Sequence, residues 1–124
     1  MDWKLELIAL PVADVDRSIA FYVEQLGWHL DHDQTVSDEI RFVQVTGPGS
    51  GCSIAIGKGL IEGDQAPITT LQVVVDDIDA AHAHLTERGI GCSPIDDQPW
   101  GSFVSFADPD GNAWAVQQIV PRNA

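Results

Sequence analysis

Five residues, Val12-Ala13-Asp14-Val15-Asp16, return as Val75-Asp76-Asp77-Ile78-Asp79, and this repeat limits the fold more than any other feature of the chain. In each copy an apolar stretch ends and a helical pattern begins. Asp14 is a good N-cap residue, and Val15, Ile19, Tyr22 and Leu26 then fall on one helical stripe that Gly27 stops. In the second copy Asp77 caps, Ile78, Ala81 and Leu85 form the stripe, and Gly89 stops it. The match is approximate, because the Val-to-Gly spacing differs by one residue.

The downstream halves correspond as well. Phe42-Val43-Gln44-Val45, a turn at Pro48 and Cys52-Ser53-Ile54-Ala55-Ile56 parallel Phe103-Val104-Ser105-Phe106, a turn at Pro109 and the stretch from Ala113 to Val116. Each unit reads as strand, helix, strand and a closing pair of strands. The sequence therefore predicts an α+β fold, one domain over 1–124 made of two βαβββ modules. Module one spans about 1–57 and module two about 69–120, with a Gly-rich linker over about 58–68. A helix covers one face of each mixed sheet and leaves the other open. Two such sheets facing each other form an open cup, the expected place for a ligand.

Composition narrows the partners. Six Lys and Arg against 19 Asp and Glu give a net charge of −13, which argues against nucleic acid and anionic membrane surfaces and suits a cationic ligand or simple solubility. No apolar run approaches the roughly 20 residues that span a bilayer. The start, Met1-Asp2-Trp3-Lys4, lacks the pattern of a signal peptide, and Cys52 and Cys92 form no C-x-x-C pair. These features lead to the expectation of a cytoplasmic protein with reduced thiols.

The order and duplication of "LPVADVDRSIAFYVEQLGW" at 10–28, "VVVDDIDAAHAHLTERG" at 73–89 and "PWGSFVSFADPDGNAWAVQ" at 99–117 resemble the vicinal oxygen chelate superfamily. That superfamily holds glyoxalase I, extradiol dioxygenases and bleomycin-resistance proteins. The resemblance covers nearly the whole chain and implies the fold, a homodimer and a small-molecule partner. Chemistry does not follow from fold alone.

Metalloenzymes of that family bind one divalent ion through His, Glu or Gln. Carried onto this chain, their four ligand positions fall on Leu7, Ala55, Thr70 and Ala115, with Ile54 as the alternative to Ala55. Such ions need imidazole nitrogen, carboxylate oxygen or thiolate, and neither Leu, Ile nor Ala has a donor. The expectation is no metal and no cofactor. Gln72 and Gln117 lie two residues beyond Thr70 and Ala115 on the same strand faces, where they read as hydrogen-bonding groups of a pocket.

Other candidates divide by residue type. Alternation after Gly27 puts His29, Asp31 and Asp33 on one strand face and Trp28, Leu30 and His32 on the other, making His32 a candidate pocket base. His82 and His84 are two apart on a helix and cannot share a metal. Ser53, Ser105, Cys52 and Cys92 show no pattern of an activated nucleophile. Trp28, Trp100 and Trp114 offer stacking surface, and Trp100 sits in the loop "DDQPWGS", where packing alone does not demand an indole.

The reading favoured by the sequence is metal-independent binding of a small molecule, a cationic or aromatic compound held as in the drug-sequestering bleomycin-resistance branch. Its ligand-binding set is Trp28, His32, Gln44, Thr70, Gln72, Trp100, Trp114 and Gln117. The rival is a glyoxalase- or dioxygenase-like enzyme with non-standard ligands, or with metal-free acid–base work by His32 or Glu39. A third alternative is a vestigial cup on a subunit whose role is assembly.

Overall fold

A computed structural model of the chain describes residues 1–122. It divides into two compact units, the first ending at Pro67 and the second starting at Ile68. Unit 1 runs β1 (Leu7–Ala9), α1 (Val15–Ile19), β2 (His29–Thr35), β3 (Arg41–Thr46) and β4 (Ser53–Ala55). Unit 2 runs β5 (Leu71–Val74), α2 (Ile78–Glu87), β6 (Asp96–Gln98), β7 (Gly101–Ala107) and β8 (Ala113–Gln118). The sheet orders are β1-β4-β3-β2 and β5-β8-β7-β6. In each, the first strand runs parallel to the last and the other pairings are antiparallel. Each unit is thus an open mixed sheet of βαβββ order, the α+β class expected.

The helix starts form as the repeat dictates. Asp14 and Asp77 sit in extended backbone, and each side chain accepts a backbone N–H three residues on, from Arg17 and Ala80, at 3.1 Å. Such a cap satisfies one of the helix's orphan donors, typically for ~1 kcal/mol. Gly27 and Gly89 follow the helical segments with φ of 86° and 73°, left-handed conformations that side chains disfavour.

Helix α1 departs from the regular stripe. It continues over Ala20–Gln25 as a wider π-helical turn, in which Leu26 N–H donates to Phe21 C=O at 2.8 Å. The wider turn rotates the side chains, so Ser18 and Phe21 join Tyr22 and Leu26 in the core while Val15 and Ile19 are only half-buried.

Strand alternation builds the rest of each core. Val43, Val45 and Ile54 are buried on one face of sheet 1; Leu71, Val104, Phe106, Trp114 and Val116 are buried on the corresponding face of sheet 2, where α2 packs on β7 and β8. The same faces carry matching ion clusters. Arg41 makes a two-pronged pair with Asp33 of β2, both bonds 2.9 Å, and reaches Asp16 of α1 at 2.9 Å. Arg122 bonds both oxygens of Asp97 in β6 at 3.0 and 3.1 Å and reaches Asp79 of α2 at 2.8 Å.

The turn Asp108-Pro109-Asp110-Gly111 is a buried anchor for unit 2. The Asp108 carboxylate accepts from the backbone N–H of Asp110 and Asn112, each at 2.9 Å, and from the Asn112 amide at 2.8 Å. The Asn112 amide oxygen in turn accepts from Ile68 N–H at 2.9 Å, which fixes the chain entering β5.

Candidate functional site

The faces opposite those cores carry the candidate site residues, and each unit has its own. In unit 1, Ala55 is paired with Ala9 and Gln44, while Ile54 is paired with Ile8 and Val45 on the core side. Ala55 rather than Ile54 therefore shares the face of Leu7. In unit 2, Ala115 is paired with Gln72 and Ser105, and Thr70 lies two residues before Gln72. These four positions present alkyl groups and one hydroxyl, a donor set that does not fit a divalent ion. Among the described residues no three His, Cys, Asp or Glu gather as metal ligands.

Strand β2 breaks its expected alternation. The pairing with β3 shifts between Leu30 and His32, so Asp31 is an extra residue in a β-bulge. Leu30 faces Val45 on the core side, whereas His32 faces Gln44 on the open side. Leu30 and His32 do not share a face, and Asp31 and Asp33 do not either, contrary to the alternation read from sequence. His32 itself is exposed, with its ring 6.3 Å from that of Phe42.

The bulge gathers a polar cluster that type-by-type reading missed. Asp31 accepts from the Thr46 hydroxyl, from the Gln44 amide at 3.2 Å and from His29 Nδ1 at 2.8 Å. The Ser53 hydroxyl stands 2.6 Å from that of Thr46, and the Gln44 amide also reaches it at 3.4 Å. The Thr46 hydroxyl, the His29 imidazole and the Gln44 amide hold the Asp31 carboxyl below the ordinary carboxylate range, against a smaller effect of burial that pushes it up.

Unit 2 arranges its open face differently. The Gln117 amide nitrogen donates to the backbone carbonyl of Trp100 at 3.1 Å, and its oxygen accepts from the Gln72 amide. A carbonyl only accepts, so this contact fixes the orientation of both amides and leaves the Gln72 oxygen as the outward acceptor. Gly101 makes room for this chain: a Cβ there sits 2.7 Å from the Gln117 amide nitrogen. Phe103 stands opposite Gln117 on the same face.

The three tryptophans separate. Trp100 is 64% exposed beside Gln117. Trp114, expected to face a ligand, is instead buried, its ring parallel to that of Phe106 with centroids 6.1 Å apart. Alternation along β8 places it on the opposite side from Ala115 and Gln117, so it belongs to the core. Trp28 is half-buried, packed against Tyr22 at 5.8 Å and lying over Gly47, where an added Cβ meets the indole at 3.4 Å.

With two βαβββ units and an open sheet face on each established, the family can be stated. A model of the Glyoxalase/Bleomycin resistance protein/Dioxygenase superfamily matches residues 4–116, and the chain belongs to that superfamily. It is similar in structure to TnmS3, an antibiotic binding protein from Streptomyces sp. CB03234, with 31% identity, a TM-score of 0.83 and coverage of 95% of this chain and 97% of that one. A member of the same superfamily from Sphaerobacter thermophilus DSM 20745 is 30% identical with a TM-score of 0.82, over 94% of this chain and 98% of the other. The uncharacterized protein YraH of Bacillus subtilis (strain 168) is 29% identical over 94% of this chain and 99% of its own length.

Proposed function

We propose that this chain binds an aromatic small molecule against an open sheet face and holds it without chemical change. The observation that carries the reading is the set Leu7, Ala55, Thr70 and Ala115, three alkyl side chains and one hydroxyl, a poor donor set for the metal chemistry of the family. Capture needs no activated group. It needs apolar contact area and a few oriented polar atoms. Phe103, the exposed Trp100 and the locked amides of Gln72 and Gln117 are such a set in unit 2. The likeness to TnmS3, an antibiotic binding protein, supports the same reading.

The reading includes a homodimer in the cytoplasm. Cys52 and Cys92 are free thiols, and Trp3, Leu5 and Leu7 expose alternate apolar side chains leading into the edge strand β1. Light scattering of the purified chain checks the dimer. Among the described residues no helix is long and apolar enough to cross a membrane.

Acridine, a planar uncharged aromatic, tests the capture. Titrated into protein purified without chelator, it is expected to quench tryptophan fluorescence at a 1:1 end point and to be recovered unchanged by chromatography. Elemental analysis of the same sample is expected to find no stoichiometric metal. Absence of quenching, a converted product, or one Zn, Ni, Fe or Mn per chain each overturns the proposal.

A further inference from the structure

We propose that Asp31, on the open face of unit 1, binds the protonated amine of a small molecule. This rests on the reading of the chain as a small-molecule binder and adds the chemical class that it prefers.

The first support is charge balance. The Asp31 side chain is 21% exposed, and a partly buried carboxylate favours an opposite charge beside it. Elsewhere the fold supplies that charge: Asp33 has the guanidinium of Arg41 and Asp97 that of Arg122. Among the described residues Asp31 has neither Lys nor Arg as a partner, and the ionisable group that bonds it is His29, 78% exposed, at 2.8 Å.

The second support is the direction of the hydrogen bonds. Thr46 has one hydroxyl proton and gives it to Asp31, so the proton between Thr46 and Ser53 comes from Ser53. Both N–H groups of the Gln44 amide are engaged by Asp31 and Ser53, which leaves the Gln44 oxygen as an unpaired acceptor beside the carboxylate. Three donors occupy three of the roughly four acceptor sites on Asp31. What remains is one carboxylate site and one amide oxygen, acceptors only. An ammonium, with donors and no acceptor, is the complement.

The test compares 9-aminoacridine, a cation at pH 8, with acridine, neutral at that pH. Anisotropy titrations in 0.5 M NaCl screen attraction by the general surface charge. Wild type is expected to bind the cation about tenfold more tightly than the neutral ring. Asp31→Asn, which still accepts from Thr46, is expected to bind the two equally, and Asp64→Asn, in the exposed linker, to keep the preference. Gln44→Met, which removes the amide oxygen, is expected to reduce the preference severalfold and reads the site independently should Asp31→Asn misfold. Equal binding of both probes by wild type overturns the amine anchor while leaving small-molecule capture intact. A preference retained in both variants overturns it too, as does failure of the cation to bind, and failure of both probes overturns both proposals together.

Discussion

The two units share a frame and differ on the face it presents. Both have the strand order, the capped helix, the glycine stop and an arginine joining the first helical turn to the second strand. Gln44 stands opposite Ala55 as Ser105 stands opposite Ala115, so the registers superpose. Counting two residues on, Gly57 in unit 1 takes the place of Gln117 in unit 2. Unit 1 concentrates polarity on β2 and β3, around Asp31, Gln44 and Thr46; unit 2 places it on β5 and β8, in Gln72 and Gln117. The repeated part holds the sheet and the unrepeated part meets solvent or ligand, as expected if the ligand requirement is asymmetric.

The division between core face and open face breaks most sharply at two tryptophans of unit 2. Trp114→Ala removes a buried, stacked indole and is expected to destabilise the protein by about 3–5 kcal/mol. Trp100→Ala touches an exposed indole and is expected to change stability by no more than about 0.5 kcal/mol while weakening acridine binding. Urea unfolding of both variants checks the pair. Comparable losses of stability from the two would erase the distinction.

A second comparison sets Gly57 against Gln117. A Cβ on Gly57 falls 2.0 Å from the carbonyl oxygen of Arg41, because Arg41 and Lys58 exchange backbone hydrogen bonds of 2.8 and 3.0 Å beside it. That oxygen is backbone and has no rotamer to yield. Gly57→Ala is expected to cost about 1–3 kcal/mol, as overpacking does, read from the urea midpoint. A neutral result means that this edge of unit 1 is looser than its hydrogen bonds indicate.

The frame was legible in the sequence because its signals are local and occur twice. Asp14 and Asp77, Gly27 and Gly89, and the turn before Asn112 each act within a few residues, and each did in the structure what its chemistry dictates. Three departures from the repeated pattern were less legible, for separate reasons. Bulging at Asp31 carries no Gly or Pro mark, and its cause lies in partners on β3 and β4 that the local pattern does not reveal. The π-helical turn after Ile19 likewise depends on packing of Phe21 and Tyr22, whose rings meet edge to face at 5.0 Å. Trp114 has the residue type of a ligand-facing aromatic, whereas its parity with Ala115 places it in the core. Gln72 and Gln117 were placed together by that same parity, and they do meet.

The smallest effect separates the two arginine clusters. Arg41 is 25% exposed and Arg122 35%, so solvent screens both, and Arg41→Met is expected to cost about 1 kcal/mol or less at pH 7. Its pH dependence is the sharper signal. Arg41, bonded to both oxygens of Asp33, holds that carboxyl below the ordinary value. A depressed folded pKa gives stability that is present above the unfolded value, near 3.9, and lost as pH falls through the folded value. The gap between wild type and Arg41→Met is therefore expected to be full at pH 5–7 and to close below about pH 4. Urea midpoints at pH 7, 5 and 3 measure it. A gap that stays constant across that range would mean that Arg41 stabilises unit 1 by packing its aliphatic stem rather than by its charge.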